Sequence, residues 1–161
     1  MLILLEGIVM CFILLIYCAV GIRNGAVGLV CLYENDVRER VIELGLVTRK
    51  QIKTQLIISS IVLFVPLFTL VPYMVYGVNG VKDFTHGFIQ MTAIMLIMGL
   101  FDRFFIDWFW VGKTQAWIIP GTEDLRPYIP RKAKAIKWVS TLLVHPLIAL
   151  LLAWVMSMTI N

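Results

Sequence analysis

The sequence predicts an all-α polytopic membrane protein with four transmembrane helices and one short amphipathic helix on the cytoplasmic side. Three observations predict this fold class. Of the 161 residues, 60% are apolar and only 15% are charged, whereas soluble domains have about 45–50% apolar and about 25% charged residues. Four stretches reach the roughly 20 apolar residues that a membrane helix needs. The alternating polarity that marks barrel strands is absent. We treat 1–161 as a single transmembrane domain.

The four predicted spans lie at about 1–22, 55–78, 84–111 and 138–160. The loop 23–54 carries six Lys or Arg residues, the loop 112–137 carries six, and the turn between spans two and three carries only Lys82. Because short loops rich in Lys and Arg stay in the cytoplasm, both long loops are predicted inside and both termini outside. We expect a multi-pass protein of a bacterial-type inner (plasma) membrane. The first stretch has no basic leader region and too long an apolar run for a cleaved signal, so we interpret it as a retained span.

The first cytoplasmic loop contains two apolar segments. Segment 26–32 is too short to cross a bilayer, so it is interfacial, re-entrant or an extension of span one. After a predicted N-cap at Asn35, apolar side chains recur at helical spacing over 36–44: Val37, Val41 and Leu44. Gly45 fits the end of this helix. The short amphipathic helix is predicted either to lie on the inner leaflet or bundle, or to serve as a docking surface.

The second span is predicted to begin before the membrane and to be disturbed near its outer end. Thr48 and Gln51 have capping-box spacing, which starts a helix. Pro66 and Pro72 each remove a backbone donor, so we expect a kink or break.

The second cytoplasmic loop combines turn signals with a basic cluster. Pro120 and Gly121 predict a tight turn, and Thr122 is a candidate cap for a brief helical turn that Pro127 and Pro130 would end. Basic residues then precede span four: Arg131, Lys132, Lys134 and Lys137. They provide a positive-inside signal, and near anionic lipid head groups each basic residue contributes about 1 kcal/mol. We therefore assign the net charge of +4 to contact with anionic lipids and expect no nucleic-acid partner.

Besides His86 at the outer start of span three, five ionisable residues fall within the predicted spans: Glu6, Asp102, Arg103, Asp107 and His145. Each is by default a candidate functional residue, because an ionisable group in a membrane helix is costly. Glu6 is close to the outer end, so a solvated position is expected. Arg103 and Asp107 are spaced i, i+4 and can pair, whereas Asp102 has no partner on the same face of its helix.

Spans three and four are antiparallel, which brings His145 to a depth comparable with that of Asp102 and Asp107. We predict a polar pocket on the cytoplasmic side formed by these three residues and Arg103, with two basic residues at its mouth: Arg131 and Lys132. Such a pocket could relay protons, hold a cation or bind a phosphate-bearing head group. The alternative is a buried polar lock between two helices.

Small residues recur every four positions in span four, which predicts close packing with another helix: Ala149, Ala153 and Ser157. The helix that packs there belongs either to this chain or to a second subunit. The three cysteines are expected to act as small apolar side chains: Cys11, Cys18 and Cys31.

The motifs of common enzymes do not occur in this sequence. There is no pair of metal-ligating histidines at helical spacing, no nucleophile triad order and no glycine-rich phosphate loop, so no metal or cofactor is expected and an enzyme is disfavoured. We expect a small integral membrane subunit or accessory protein that binds a membrane partner or lipid. The alternatives are an oligomeric proton- or ion-coupled transporter that uses Asp102, Asp107 and His145, and an enzyme acting on lipid head groups.

Overall fold

The computed structural model describes residues 1–160, and all regular secondary structure in that range is helical. The α-helices are α1 (Leu2–Gly21), α2 (Asn35–Glu43), α3 (Arg49–Pro72), α4 (Phe84–Phe101), α5 (Arg131–Val139) and α6 (His145–Ile160). Segments of π-helix follow three of them: Tyr73–Val78, Asp102–Val111 and Ser140–Val144. Two short 3-10 helices lie in the loops: Ala26–Leu32 and Glu123–Leu125.

Four continuous helices are long and apolar enough to cross a membrane: Leu2–Gly21, Arg49–Val78, Phe84–Val111 and Arg131–Thr159. This confirms the predicted number of candidate spans. The fourth helix begins at Arg131, not near Trp138, so the basic cluster forms its first two turns instead of a loop. Pro130 occupies the N-cap position, and the Lys and Ala residues that follow are strong helix formers.

The helix of the second span begins with the predicted capping box. The Thr48 hydroxyl accepts a hydrogen bond from the Gln51 backbone N–H at 3.2 Å, and the Gln51 side chain accepts one from the Thr48 N–H at 2.8 Å. We expected a kink or break at the prolines, and the helix is not broken there. Helix α3 continues through Pro66 to Pro72, and only then does the backbone change to π-helix, consistent with the tolerance of membrane helices for proline.

Helix α2 packs on the bundle through its apolar face. Val37 and Val41 are 1% and 0% exposed, which supports packing on the protein over lying on a leaflet, whereas Leu44, predicted on the same face, is 47% exposed. The N-cap is Glu34 instead of the predicted Asn35, whose side chain accepts a hydrogen bond from Arg38. Gly45 ends the helix as predicted, with a φ of +68° that glycine adopts without strain.

The segment Ala26–Leu32 is a separate 3-10 helix and not an extension of α1. Gly25, with a φ of +103°, turns the chain between the two helices. The segment packs against α3, and Cys31 contacts the buried hydroxyl of Ser59 at 3.3 Å. Tyr17 of α1 bonds the same hydroxyl. Ser59 therefore connects α1, the 3-10 helix and α3 at one point.

Helix α4 forms the centre of the bundle and packs most extensively against α6 and α1. Its buried side chains include Met91, Ile94 and Met95, all fully inaccessible. Glycines allow the close approach: a Cβ added to Gly7 of α1 would lie 2.7 Å from the Ile97 side chain of α4. Close packing of this kind is the main source of association between membrane helices, because lipid tails are as apolar as the helices themselves.

The two long loops fold together at the basic end of the bundle, which we define as the end that carries Arg131–Val139. Tyr33 from the first loop packs edge-to-face on Tyr128 from the second, with ring centroids 5.1 Å apart. The Tyr33 hydroxyl donates to the Trp117 carbonyl oxygen at 2.6 Å, and burial raises the pKa of Tyr33, so this hydroxyl remains a donor. The Arg40–Asp124 ion pair, at 3.3 Å, also joins the loops.

The turn at Pro120 and Gly121 forms as predicted, with the Thr122 N–H donating to the Ile119 carbonyl oxygen at 3.1 Å. Thr122 is the N-cap of the brief 3-10 helix that follows, but its side chain makes no capping bond. Its buried hydroxyl donates instead to the Ile119 carbonyl oxygen at 2.8 Å and contacts the Tyr128 hydroxyl at 2.9 Å. The Thr122 hydroxyl therefore bonds to buried partners and does not cap the helix.

Candidate functional site

Four charged side chains meet between the third and fourth spans near the basic end, and we call them the ionic cluster: Asp102, Arg103, Asp107 and Lys137. Arg103 pairs with Asp107 at the predicted i, i+4 spacing and also with Asp102. Asp102 therefore has a partner on its own helix, contrary to the expectation from helix faces. The Arg103 side chain is long enough for its guanidinium group to reach both carboxylates. A prediction from helix faces alone does not take this length into account.

Lys137 contributes the contact between the two helices. Its Nζ atom donates to Asp107 Oδ1 at 2.9 Å, and Asp107 is only 9% exposed. The cluster contains two carboxylates and two cations, so its formal charges cancel. A buried carboxylate held by two cations is well suited to fixing one helix against another.

His145 is predicted to lie at a depth similar to that of this cluster, but its contacts are different. A Cβ added to Gly99 would be 2.7 Å from the imidazole ring, so the ring packs directly on the α4 backbone. His145 Nδ1 is buried and has no hydrogen-bond partner within residues 1–160. Among the four residues of the predicted pocket, the structure brings the two aspartates and Arg103 together, and no described hydrogen bond or ion pair connects His145 to them.

A cavity of about 260 Å³ opens beside the ionic cluster. All four charged residues of the cluster line it, together with apolar and aromatic side chains from both loops and α1. Among these is Trp117, whose side-chain N–H is buried and has no acceptor in the described part of the chain. The cavity exceeds the roughly 150 Å³ that holds a benzene molecule, so it can admit a small group that carries acceptor atoms.

A second cavity, of about 370 Å³, adjoins the first and shares Asp107 and Tyr128 with it. Three basic side chains line the second cavity: Lys113, Arg126 and Lys134. Since Asp107 is the one acidic residue in its lining and already has two cationic partners, the cavity has an excess of positive charge. Phosphate and carboxylate groups are the natural ligands of such a cluster.

A largely apolar groove lies on the surface of the same region. It is lined by Phe104, Trp108 and Trp138, and it also includes Lys134 of the second cavity and two residues of the ionic cluster, Arg103 and Asp107. Phe104 and Trp108 are more than half exposed, at 58% and 55%. The Trp138 ring packs edge-to-face on Phe104 at 5.2 Å. Aromatic rings beside lysines are typical of the interface between hydrocarbon and head groups.

The four residues predicted to contact lipid head groups occupy three environments. Lys137 is held in the ionic cluster, whereas Lys134 lines both the second cavity and the groove. Arg131 and Lys132 are exposed on the first turn of α5 and are not among the residues that line the cavity beside the ionic cluster. Lys113 and Arg126 complete the basic cavity, although neither is adjacent to the others in sequence.

The small-residue stripe of span four packs within the chain. Ala149 and Ala153 are both 0% exposed and belong to the apolar core that α4 contributes to. The Ala153 carbonyl oxygen accepts a hydrogen bond from the Tyr76 hydroxyl at 3.5 Å. Ser157 is half-buried, and its hydroxyl donates to the Trp154 carbonyl oxygen at 2.8 Å. Helix α4, which packs extensively against α6, and the second span, through Tyr76, are thus the partners of this stripe.

Glu6 is not solvated, contrary to the expectation from its place near a helix end. It is 5% exposed, and its Oε2 atom accepts a hydrogen bond from the Asn79 side chain at 3.1 Å. The same Asn79 amide donates to Gln90 Oε1 at 2.9 Å. The turn after the second span folds over the end of α1, and this long-range packing removes Glu6 from water.

The described residues also include further metal-ligating and thiol side chains. Among residues 1–160, no three His, Cys, Asp or Glu side chains are grouped so that they could hold a metal ion. The cysteines Cys11, Cys18 and Cys31 are free thiols and are buried. Comparison with known proteins found no matching family model, no similar curated protein and no similar solved structure.

Proposed function

We propose that this chain is a small integral membrane accessory protein that binds an anionic phospholipid on the inner-leaflet side of a bacterial-type inner membrane. The observation that carries the proposal is the basic cavity lined by Lys113, Arg126 and Lys134, directly beside an exposed aromatic groove. A phospholipid has the same two parts, a phosphate and an apolar chain. Lys134 lines both features, so one lipid molecule can occupy them together.

The positive-inside rule supports the membrane orientation that this proposal assumes. Both loops at the basic end are rich in Lys and Arg, and such loops remain cytoplasmic. With the basic end inside, the groove opens toward the inner leaflet, where anionic head groups produce a negative surface potential. Lys113 also lies over the Trp108 ring, with Nζ 5.9 Å from the centroid, which positions a cation at the edge of the groove.

The ionic cluster supports a fixed role better than ion transport. Both carboxylates of the proposed transport set, Asp102 and Asp107, are paired with cations, and His145 is bonded to neither. A relay requires groups that exchange protons or ions with each other, and His145 Nδ1 has no hydrogen-bond partner within residues 1–160. In the present proposal the cluster holds the third and fourth spans in register and thereby shapes the lipid site.

The test is a lipid count by native mass spectrometry on protein extracted in mild detergent. The Arg126→Gln/Lys134→Gln variant should retain several-fold less co-purified phosphatidylglycerol than the unmodified chain, because it loses two of the three basic contacts. The Arg131→Gln/Lys132→Gln variant is the matched control, since it removes two exposed basic residues outside the cavity. Equal losses in both variants would show that the protein attracts lipid only through its general surface charge, and the proposed site would be refuted.

The source of the bound phosphate is tested with the same protein. Phosphatidylglycerol in nanodiscs should protect the protein from thermal unfolding, whereas glycerol phosphate at the same concentration should protect much less because it cannot occupy the aromatic groove. Equal protection by the two compounds would indicate a site for soluble phosphates. A role as an accessory subunit further predicts that a larger membrane protein co-purifies, and the chain purifying alone after mild extraction would contradict that role.

A further inference from the structure

A second polar site lies at the opposite end of the bundle from the ionic cluster. It consists of Glu6 of α1, Asn79 of the turn after the second span, and Gln90 of α4. We call these three residues the distal polar cluster. Glu6 makes no ion pair within residues 1–160, although it is only 5% exposed. A buried carboxylate without a compensating charge is strongly unfavourable, so this position requires something that neutralises it.

The hydrogen bonds of the distal polar cluster leave oxygen atoms unused. The Asn79 amide donates to Glu6 Oε2 and to Gln90 Oε1, at 3.1 and 2.9 Å. Glu6 Oε1 and Asn79 Oδ1 are both buried and have no hydrogen-bond partner in the part of the chain that the structure describes. Each unsatisfied buried acceptor costs about 1–3 kcal/mol. The cluster therefore has more acceptors than donors and lacks positive charge.

The backbone around the cluster adds to its negative potential. Asn79 directly follows the helical segment Tyr73–Val78, so it stands at the C-terminal end of the second span. The carbonyl groups at a helix C-terminus carry the equivalent of roughly half a negative charge and favour cations. A cation would therefore interact favourably with the carboxylate, the amide oxygens and the helix end together.

We propose that the distal polar cluster binds a monovalent cation such as Na⁺. Glu6 supplies the charge that balances it, and Asn79 and Gln90 supply neutral oxygen ligands. Hard cations prefer oxygen ligands, and helix C-terminal ends serve as Na⁺ ligands in membrane transporters. A half-turn of the Asn79 amide places its oxygen where its nitrogen now contacts Glu6 Oε2 and Gln90 Oε1, and three side-chain oxygens then converge. One carboxylate balances one monovalent charge, which favours Na⁺ over Ca²⁺.

The first experiment measures equilibrium binding of radioactive sodium to the full chain in detergent, with choline as the balancing cation. We expect saturable binding to the unmodified protein and at least a tenfold loss of affinity in Glu6→Gln. Glu43→Gln, which removes an exposed carboxylate at the basic end, should bind as the unmodified chain does. The proposal is overturned if the unmodified chain shows no saturable binding, or if Glu6→Gln binds sodium equally well.

The second experiment does not depend on whether Glu6→Gln folds. For a single site, raising Na⁺ from Kd to 100-fold above Kd lowers the unfolding equilibrium constant about fifty-fold, which appears as a rise in the melting temperature relative to choline chloride. Gln90→Glu keeps the Glu6 carboxylate and adds a second charge, so it should acquire stabilisation by Ca²⁺ that the unmodified chain lacks. Identical melting in sodium and choline would overturn the proposal.

Discussion

Replacement of Asp107 tests whether the ionic cluster holds the third and fourth spans together. The Asp107→Asn variant keeps the shape of the side chain but removes a charge that is 9% exposed and is held by Arg103 and Lys137. Each hydrogen bond to a charged group contributes about 1.5–3 kcal/mol, and breaking a buried ion pair costs about 3–5 kcal/mol. Because Arg103 retains Asp102 and Lys137 is 35% exposed and can reach water, we expect the lower end of that range, about 3 kcal/mol.

A loss of about 3 kcal/mol corresponds to an increase of about 150-fold in the unfolding equilibrium constant, since 1.4 kcal/mol is tenfold. The assay is reversible unfolding in mixed micelles, in which sodium dodecyl sulfate is titrated and helix content is followed by circular dichroism. Asp102→Asn is the matched control. Asp102 is 26% exposed and, within residues 1–160, pairs with Arg103 alone, so its replacement should cost clearly less.

A double-mutant cycle decides whether the contact between the helices is responsible. Lys137→Met removes the cation from the fourth span, and its combination with Asp107→Asn should be less harmful than the sum of the two single changes by about 1–2 kcal/mol, as expected for residues in one ion-pair network. Additivity of the two changes within about 0.5 kcal/mol would refute the reasoning. In that case Asp107 would stabilise only its own helix through Arg103.

Three further predictions concern helix packing and helix ends. Gly99→Ala places a Cβ 2.7 Å from the His145 ring, and such overpacking should cost about 1–3 kcal/mol in the same unfolding assay; an unchanged midpoint would mean that α4 and α6 are not in close contact. Thr48→Ala removes a capping bond and should cost about 1 kcal/mol, whereas Thr54→Ala, whose hydroxyl only bonds back to its own helix, should be nearly neutral. Hydrogen bonds from the backbone N–H and side chain of His86 lower the pKa of Asp83. The contribution of Asp83 to folding stability is therefore present above its unfolded pKa and is lost as the pH falls through the lower folded pKa. An Asp83→Asn variant should show a weaker acid-induced loss of stability, and identical pH profiles of the two proteins would contradict this.

The local sequence was sufficient to predict the four candidate spans and several helix ends. Runs of about 20 apolar residues and the capping box at Thr48 depend only on residues close together in the chain, as does the glycine stop at Gly45, and the structure confirms each. The i, i+4 pair of Arg103 and Asp107 was predictable for the same reason. These features follow from helix geometry without knowledge of neighbouring helices.

The basic cavity and the ionic cluster depend on contacts between residues that no local sequence pattern predicts. The basic cavity is lined by Lys113, Arg126 and Lys134. Turns separate these residues in the chain, and their sequence spacing does not predict that they lie together. Lys137 was predicted to contact lipid, yet its proximity to Asp107 assigns it to the ionic cluster. His145 shares the expected depth with the aspartates, but the rotation of its helix directs it to Gly99.

The sequence by itself determined that this chain forms four apolar helices with its basic residues concentrated at one end, because hydrophobicity and charge placement are properties of single segments. Tertiary structure alone decided which polar groups are buried and with what partners. Glu6 shows the difference most clearly: its position one or two turns from a helix end suggested solvation, but the turn that carries Asn79 folds over it. Burial depends on the residues that pack around a site, and those residues come from distant parts of the chain.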